Sequence, residues 1–241
     1  AGVLKGAGYS TAALHSNPFL SKFFRYGEAF DVFEDSLAAL DQARKRKYRI
    51  VEGLRKRRKP AIFVKLLNRV GHIVNHLLFS VGGQYHVDAG KITAQAISWM
   101  AKQQGSFFLW PHYMDPHYPY LPPSEYAREF SNRHITRYRM SALYYKQVRN
   151  LRRPERLSQA DMDTLLNLYD ASIRYVDDNI GQLMHGLGSP LDHTIIVVTA
   201  DHGETFGEHG SLGHGFLYDD IVHVPLIIAG PGIKAGTVVM E

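Results

Sequence analysis

The sequence predicts an α/β domain built on a largely parallel sheet, and three observations carry that reading. Residues 194–199 form a β-branched apolar run that stops abruptly at Asp201-His202-Gly203, and residues 224–229 form a second apolar run. Runs of this kind read as buried parallel strands, whose carboxyl ends gather ligands in open α/β sheets. Between residues 165 and 187 apolar side chains recur every three to four positions, as in a helix packed on such a sheet. The third observation is the order along the chain: strand, helix, strand, helix, strand, strand.

Each element has its own local signal. Residues 1–8 read as a helix end closed by Gly8, and residues 9–16 (YSTAALHS) suit a short strand that Asn17-Pro18 stops. Residues 19–35 are aromatic-rich and irregular, a surface loop. From about residue 36 to residue 80 the pattern is helical, with Ile62, Leu66, Val70, Ile73 or Val74, and Leu77 at spacings of three and four. Lys65, Arg69, His72 and His76 lie among them, so this is an amphipathic helical insertion (about 36–83) and not a bilayer span. Asp88 is placed as an N-cap, with Ile92, Ala96 and Met100 on one face of its helix and Gly105 as the stop. Residues 107–110 make a short buried strand, and the proline-rich stretch 116–123 follows as loop. Residues 124–157 are polar, with scattered tyrosines and arginines, and take no assignment. Ser158-Gln-Ala-Asp161 starts the clearest helix. Its stripe, read as core, is Leu165, Tyr169, Ile173, Val176, Ile180, Leu183 and Leu187, with Gly186, Gly188 and Pro190 ending it.

Composition bounds the function. Apolar residues are 45% and aromatics 12% of 241 residues, enough for a core in one large or two small domains. No stretch of about 18 uncharged apolar residues occurs, and no signal peptide is visible. The absence of cysteine excludes disulfides, thiolate metal sites and a cysteine nucleophile within these residues. The net charge of +5 averages two unlike parts: residues 44–59 hold ten Lys/Arg and one Glu, while the remainder holds 18 Lys/Arg against 22 Asp/Glu. The body is mildly acidic, which argues against nucleic acid as a whole-chain partner. The basic arm suits an anionic surface, either lipid headgroups or a polyanionic substrate. Both ends look cut in mid-element, Ala1-Gly-Val-Leu-Lys5 resembling a helix interior, so the sequence reads as a fragment.

Polar functional groups concentrate at two strand ends. One supplies His112, Asp115 and His117; the other supplies Asp201, His202, Glu204, Glu208, His209 and His214. Parallel strands put their carboxyl ends on one edge, so the two groups are expected to meet. Asp201 is a hard oxygen ligand suited to Ca²⁺, Mg²⁺ or Mn²⁺, and His202 adds a nitrogen. Histidines further out can donate to an anionic substrate or protonate a leaving group. The glycines at 203, 207, 210, 213 and 215 permit tight turns and close backbone approach.

Asp201-His202-Gly203-Glu204 with Gly207-Glu208-His209-Gly210, Gly213-His214-Gly215 and Val224-Pro225-Leu226 resembles the sulfatase branch of the alkaline-phosphatase superfamily. His112-Tyr-Met-Asp-Pro-His117-x-Pro-Tyr120 is a second match, and Leu4-x-x-Ala-Gly8-Tyr-x-Thr11 a weaker third, all in the family's order. The resemblance implies an α/β sandwich around a mostly parallel sheet, incomplete here at both ends. It implies hydrolysis of a sulfate ester on a small molecule or glycan, with one bound Ca²⁺ and a formylglycine made from Cys or Ser. Asp201 and His202 would then be metal ligands, and His117 and His214 catalytic contacts to the sulfate or leaving oxygen.

Two features depart from the family pattern. The nucleophile motif Cys/Ser-x-Pro-x-Arg and the aspartate pair that completes the metal site are absent, and both are expected upstream of Ala1. Such a chain would by itself be inactive. Leu14-His-Ser-Asn-Pro18 stands where many arylsulfatases carry Lys-Trp-His after Gly-Tyr-x-Thr. That departure keeps phosphoester or phosphonate hydrolysis and phosphoglycerol transfer as alternatives, with a non-catalytic metal- and anion-binding module as a third. Outside the four assigned residues, His112 and Asp115 read as structural, and Glu204, Glu208 and His209 as shaping the turn or tuning the histidines. His15 reads equally as pocket lining or packing.

Overall fold

The computed structural model describes residues 1–20, 22–35, 86–131, 134–188 and 192–239. The amphipathic insertion at 36–83, with its basic segment 44–59, lies outside the described residues. A short helix α1 (Gly2–Gly6) leads into β1 (Ser10–Leu14). Three 3-10 turns between residues 18 and 29 precede β2 (Val32–Glu34), a strand of three residues that the aromatic loop expected at 19–35 did not announce. Helix α2 (Ala89–Met100) and strand β3 (Phe107–Pro111) follow. These strands form a parallel sheet in the order β2-β1-β3, with Leu14 opposite Pro111.

Asp31 ties the start of this sheet together. Its carboxylate accepts from Thr11 N at 2.9 Å and Thr11 Oγ1 at 2.8 Å, and pairs with Lys5 Nζ at 2.7 Å. The Lys5 ammonium and the Thr11 hydrogen bonds hold the Asp31 carboxyl down at about 2.

Helix α2 packs on β1 and β3 through Ile92 and Ala96, which meet Leu14 with Leu109 and Leu183 around them. Asp88 caps it as expected, accepting from Lys91 N at 3.2 Å. The long helix α5 (Gln159–Leu187) begins at Ser158, whose hydroxyl accepts from Asp161 N. It crosses α2 closely: a Cβ on Gly186 would stand 2.8 Å from Ile97 Cγ1. Tyr175 Oη accepts from Gly90 N at 3.0 Å and donates to Asp88 Oδ1 at 3.3 Å, clamping one helix to the cap of the other.

The stretch that took no assignment holds α3 (Ser124–Glu129) and α4 (Arg137–Arg149). Thr136 caps α4 by accepting from Arg139 N, and Met140, Leu143 and Gln147 face inward. With Leu157, Leu165, Leu168, Tyr120, Phe206 and Leu212 they build the main core. Both oxygens of the buried Asp161 carboxylate are taken, by Arg139 and Lys146.

The expected pair of buried parallel strands is corrected. β4 (Ile196–Thr199) and β7 (Leu226–Ala229) pair antiparallel, Ile196 opposite Ala229, and β7 is exposed along its whole length. Apolar composition fixed their strand character but not their direction or their cover, which depend on neighbours remote in sequence. Between them lie the small hairpin β5 (Thr205–Phe206) with β6 (Leu212–Gly213) and the short helix α6 (Asp219–Val222). The α5 stripe is likewise corrected. Leu165 is core, but Ile173 is 43% exposed, while Val176, Ile180, Leu183 and Leu187 line a cavity of about 870 Å³ between β3 and β4. No helix among the described residues is long and apolar enough to cross a membrane.

His15 follows β1 and is packing, not pocket lining. It is fully buried, its ring edge-on to Phe33 at 4.8 Å, and neither ring nitrogen has a hydrogen-bond partner among the described residues. Burial lowers its pKa from 6.5 to about 4; the nearby His112 adds to this, and Asp35 opposes it. The unfolded chain therefore binds the extra proton between pH 6.5 and about 4, so folded-state stability falls as pH falls through that window. Chemical denaturation of wild type should show on the order of 2 kcal/mol less stability at pH 5 than at pH 7. The His15→Leu variant should lose most of that difference; an unchanged slope would exclude His15 as its source.

Candidate active site

Three loops deliver histidines to one place. His117 comes from the loop after β3, His202 from the loop after β4, and His214 directly follows β6. The His202 and His214 rings stack at 4.0 Å between centroids, and His117 lies 5.0 Å from His214 and 6.2 Å from His202. The two strand-end groups of the sequence thus meet on one wall of the large cavity.

Each ring is oriented through Nδ1. His117 Nδ1 lies 2.5 Å from Tyr118 O, His202 Nδ1 lies 2.8 Å from Gly203 O, and His214 Nδ1 lies 3.1 Å from Glu204 Oε1. Carbonyl and carboxylate oxygens only accept, so Nδ1–H is the donor in all three. Burial lowers the His117 pKa, opposed by its hydrogen bond to Tyr118 and assisted by the His214 ring, so the neutral ring is favoured there.

Glu204 anchors the arrangement. Its side chain is only 3% exposed, and its other oxygen accepts from Tyr120 Oη at 2.9 Å. Tyr120 belongs to the main core and packs against Tyr169 and Phe206. Burial and the Glu204 charge drive its phenol well above the ordinary value, so the hydroxyl stays a donor. Tyr118 stacks on the other side of His214 at 5.4 Å, and Tyr144 of α4 stacks on Tyr118 at 6.3 Å.

Asp201 and His202 fit a divalent ion as two of its ligands. His202 Nε2 stands 3.9 Å from Asp201 Oδ1, a separation that one ion bound at about 2.0–2.5 Å to each spans. Asp201 is exposed and free to turn toward such an ion. Among the described residues no third His, Asp or Glu completes a shell. Gly203 makes the pair's turn feasible: its N–H donates to Ile221 O at 2.6 Å, and a Cβ there would lie 2.1 Å from Asp220 O. No side chain fits.

The remaining candidates fall into supporting places. Glu208 accepts from Thr205 Oγ1 at 2.7 Å and Phe206 N at 2.6 Å. Burial pushes its carboxyl up, and these bonds outweigh that and hold it low. His209 Nε2 contacts Asp220 Oδ1 at 2.9 Å and stacks on Tyr218, bracing the loop. Asp115 is buried beside His86, at 3.7 Å, and stands apart from the three rings. His112 lines the same cavity, its imidazole pKa lowered first by burial and raised in part by Asp201. Sequence reasoning missed the structural roles of Tyr118, Tyr120 and Tyr144. The signal for the first two was their place beside His117 in one motif, whereas Tyr144 had none.

A model of the family described as Sulfatase matches residues 1–240. The uncharacterised sulfatase YidJ of Escherichia coli (strain K12) is 29% identical over 164 residues, 61% of this chain and 32% of that relative. Iduronate 2-sulfatase of Homo sapiens is 29% identical over 167 residues, 59% of this chain and 30% of its own length. The chain thus spans about a third of the curated relatives it matches. The crystal structure of phosphonate monoester hydrolase of Agrobacterium radiobacter superposes on 95% of this chain and 52% of its own, with TM-score 0.59 at 19% identity. The fold is shared with that enzyme and is the alkaline-phosphatase-like α/β architecture.

Two substitutions test the local geometry. Replacing Glu204 by Ala leaves the Tyr120 hydroxyl buried without its acceptor and should cost about 1–3 kcal/mol in urea denaturation. In ¹⁵N-resolved NMR the His214 Nδ1–H should lose its hydrogen-bonded signature in this variant, and wild-type protein without an Nδ1–H on His214 would refute the assignment. Gly203→Ala forces backbone apart and should cost more, about 3 kcal/mol or above; a neutral result would mean that the Asp220 carbonyl moves freely.

Proposed function

The chain belongs to the sulfatase family, and on that footing we propose that this protein is a sulfate-ester hydrolase whose divalent metal is held in part by Asp201 and His202. One observation supports the reading above others: three imidazoles cluster with centroids 4.0 to 6.2 Å apart beside the Asp201 carboxylate, each ring fixed through its Nδ1–H. Ca²⁺ is the proposed ion, by family resemblance and the hard Asp201 oxygen, with Mg²⁺ or Mn²⁺ as substitutes. When bound, it offsets charge on the sulfate and holds the nucleophile as Lewis acid and template. The nucleophile is proposed to be a formylglycine from a segment outside these 241 residues, none of which is a cysteine.

The residues present would divide the remaining work. His214, its ring held by Glu204 and stacked on Tyr118, would contact a sulfate oxygen by donating from an Nε2–H while Nδ1–H stays on Glu204. His117, whose buried position favours the neutral ring, would accept at Nε2 the proton of the attacking hydroxyl and pass it to the leaving oxygen. Glu204 touches neither substrate nor metal in this scheme; it is a positioning residue. Residues 110–114, His117 and 194–204 line the apolar cavity, so an ester with an apolar or ring-bearing alcohol would be accommodated beside the histidines. A sulfated sugar or small molecule is the proposed substrate class, in line with relatives such as iduronate 2-sulfatase.

Hydrolysis of phosphate or phosphonate monoesters is the second reading. It is favoured by Leu14-His-Ser-Asn-Pro18, where His15 is buried and the arylsulfatase lysine and histidine are missing. Sulfate and phosphate esters share tetrahedral geometry and differ in charge, so the two are separated only by assay.

The full-length protein should hydrolyse 4-nitrophenyl sulfate, lose activity to a chelator and regain it with Ca²⁺. Asp201→Ala and His202→Ala should each lower kcat/KM by at least about a hundredfold and weaken metal binding in parallel. A turnover faster on 4-nitrophenyl phosphate or phenylphosphonate would shift the assignment to the second reading. Activity indifferent to both chelator and Asp201→Ala would overturn the metal site.

A further inference from the structure

A second cavity, about 340 Å³, lies at the C-terminal end of α4 and is lined by Ala142, Tyr145, Lys146, Arg149, Asn150 and Arg156. Residues 146–156 contain five Lys/Arg and a single carboxylate, Glu155, although the chain outside 44–59 is acidic overall. Lys146 is satisfied by Asp161, whose second oxygen Arg139 occupies. Arg149, Arg152, Arg153 and Arg156 are exposed, and none has an ion pair among the described residues. The C-terminal dipole of α4 accounts for one or two cations in its last turn. It does not account for arginines continuing through the turn at 150–153 into the 3-10 segment Pro154–Arg156.

This basic loop is joined to the histidine site. Leu151 O accepts from Leu212 N at 2.7 Å, two residues before His214. Pro154 lies against Gly207 in the same glycine-rich loop. A ridge of rings runs between the two sites: His214 on Tyr118 at 5.4 Å, Tyr118 on Tyr144 at 6.3 Å, and Tyr144 on Tyr145 at 5.3 Å. Tyr145 is itself part of the cavity wall.

We propose that this cavity is an anion subsite for a second sulfate or carboxylate of a polyanionic sugar whose reacting sulfate lies at His214, a proposal that rests on the sulfate-ester reading above. Guanidinium forks match sulfate and carboxylate oxygens in pairs, and an anion placed among Arg149, Arg156 and Lys146 relieves their mutual repulsion. Tyrosine rings between the sites give an extended sugar flat, amphipathic surface to lie on. A long nucleic acid fits less well, because the basic loop is bordered by a body of net negative charge.

The test uses the full-length protein and the double variant Arg149→Glu/Arg156→Glu, with Arg149→Gln/Arg156→Gln as the milder pair. Both residues are exposed, and thermal melts check the fold of each variant. The expected result is a KM about tenfold or more higher on a heparin tetrasaccharide, with kcat within twofold and KM on 4-nitrophenyl sulfate unchanged. Equal KM changes on both substrates, or none on the tetrasaccharide, overturn the subsite. Fluorescence anisotropy with labelled heparin tetrasaccharide reads the same residues without turnover. If the protein hydrolyses no sulfate ester and yet the variants lose tetrasaccharide affinity about tenfold, the sulfatase reading falls and the anion site stands. A parallel loss of affinity for single-stranded DNA of matched charge would refute a sugar-specific site.

Discussion

The Glu204 carboxylate is the constraint from which the rest of the site follows. It is buried with its charge, which is costly unless both oxygens are bonded. Tyr120 from the main core takes one and His214 from the β6 end takes the other. That bridge fixes the His214 ring to the most rigid part of the molecule, where Tyr120 is held by Tyr169 of α5 and Phe206 of β5. His202 then stacks on a ring that cannot swing, and His117 packs beside both. Orientation of three imidazoles therefore costs the chain one buried ion, satisfied by core hydroxyl and ring N–H.

The fold supplies the same result at the backbone level. Parallel pairing of β1 with β3 brings the residue after Leu14 beside the residue after Pro111, so the chain leaving β3 rises from a fixed edge. The Asp201–His202 turn closes against α6 through a glycine that meets the Asp220 carbonyl at less than side-chain distance. Both devices are short-range and rigid, and both put functional groups on loops held by paired strands. The aromatic wall of Tyr118 and Tyr144 extends this rigidity outward, toward the basic turn after α4.

Much of this was legible in the sequence, and the limits have physical causes. Asp88 and Ser158 were readable as caps because a short polar side chain before an apolar period has one dominant use. The histidine loops were readable because glycine, histidine and carboxylate cluster there without apolar period. Helix α4 was not, since its buried face is only Met140, Ser141, Leu143 and Gln147 and most of its other positions are Tyr, Arg and Lys, which bury stems and expose tips. The antiparallel direction of β4 and β7 was also hidden, because an apolar strand carries no record of its neighbour's direction. Glu204 was visible as a residue but not as a clamp: its partner Tyr120 lies 84 positions away.

Charge decides how the site must be used. Asp201 and Glu204 give it two carboxylates, and the Nδ1–H groups of the three histidines are already engaged. An anionic ester approaching such a surface meets repulsion from Asp201 and no donor at His117. A divalent cation held between Asp201 and His202, as proposed, would reverse the sign, since a bound ion is the largest local charge in a site of this kind. The basic turn after α4 adds a positive field on the side from which an extended anion would come. Under the proposed anion subsite, attraction would fall to the arginines of that turn and proton handling to the histidines. Placing arginines among the histidines would have merged the two tasks and disfavoured a protonated ring, since like charges repel.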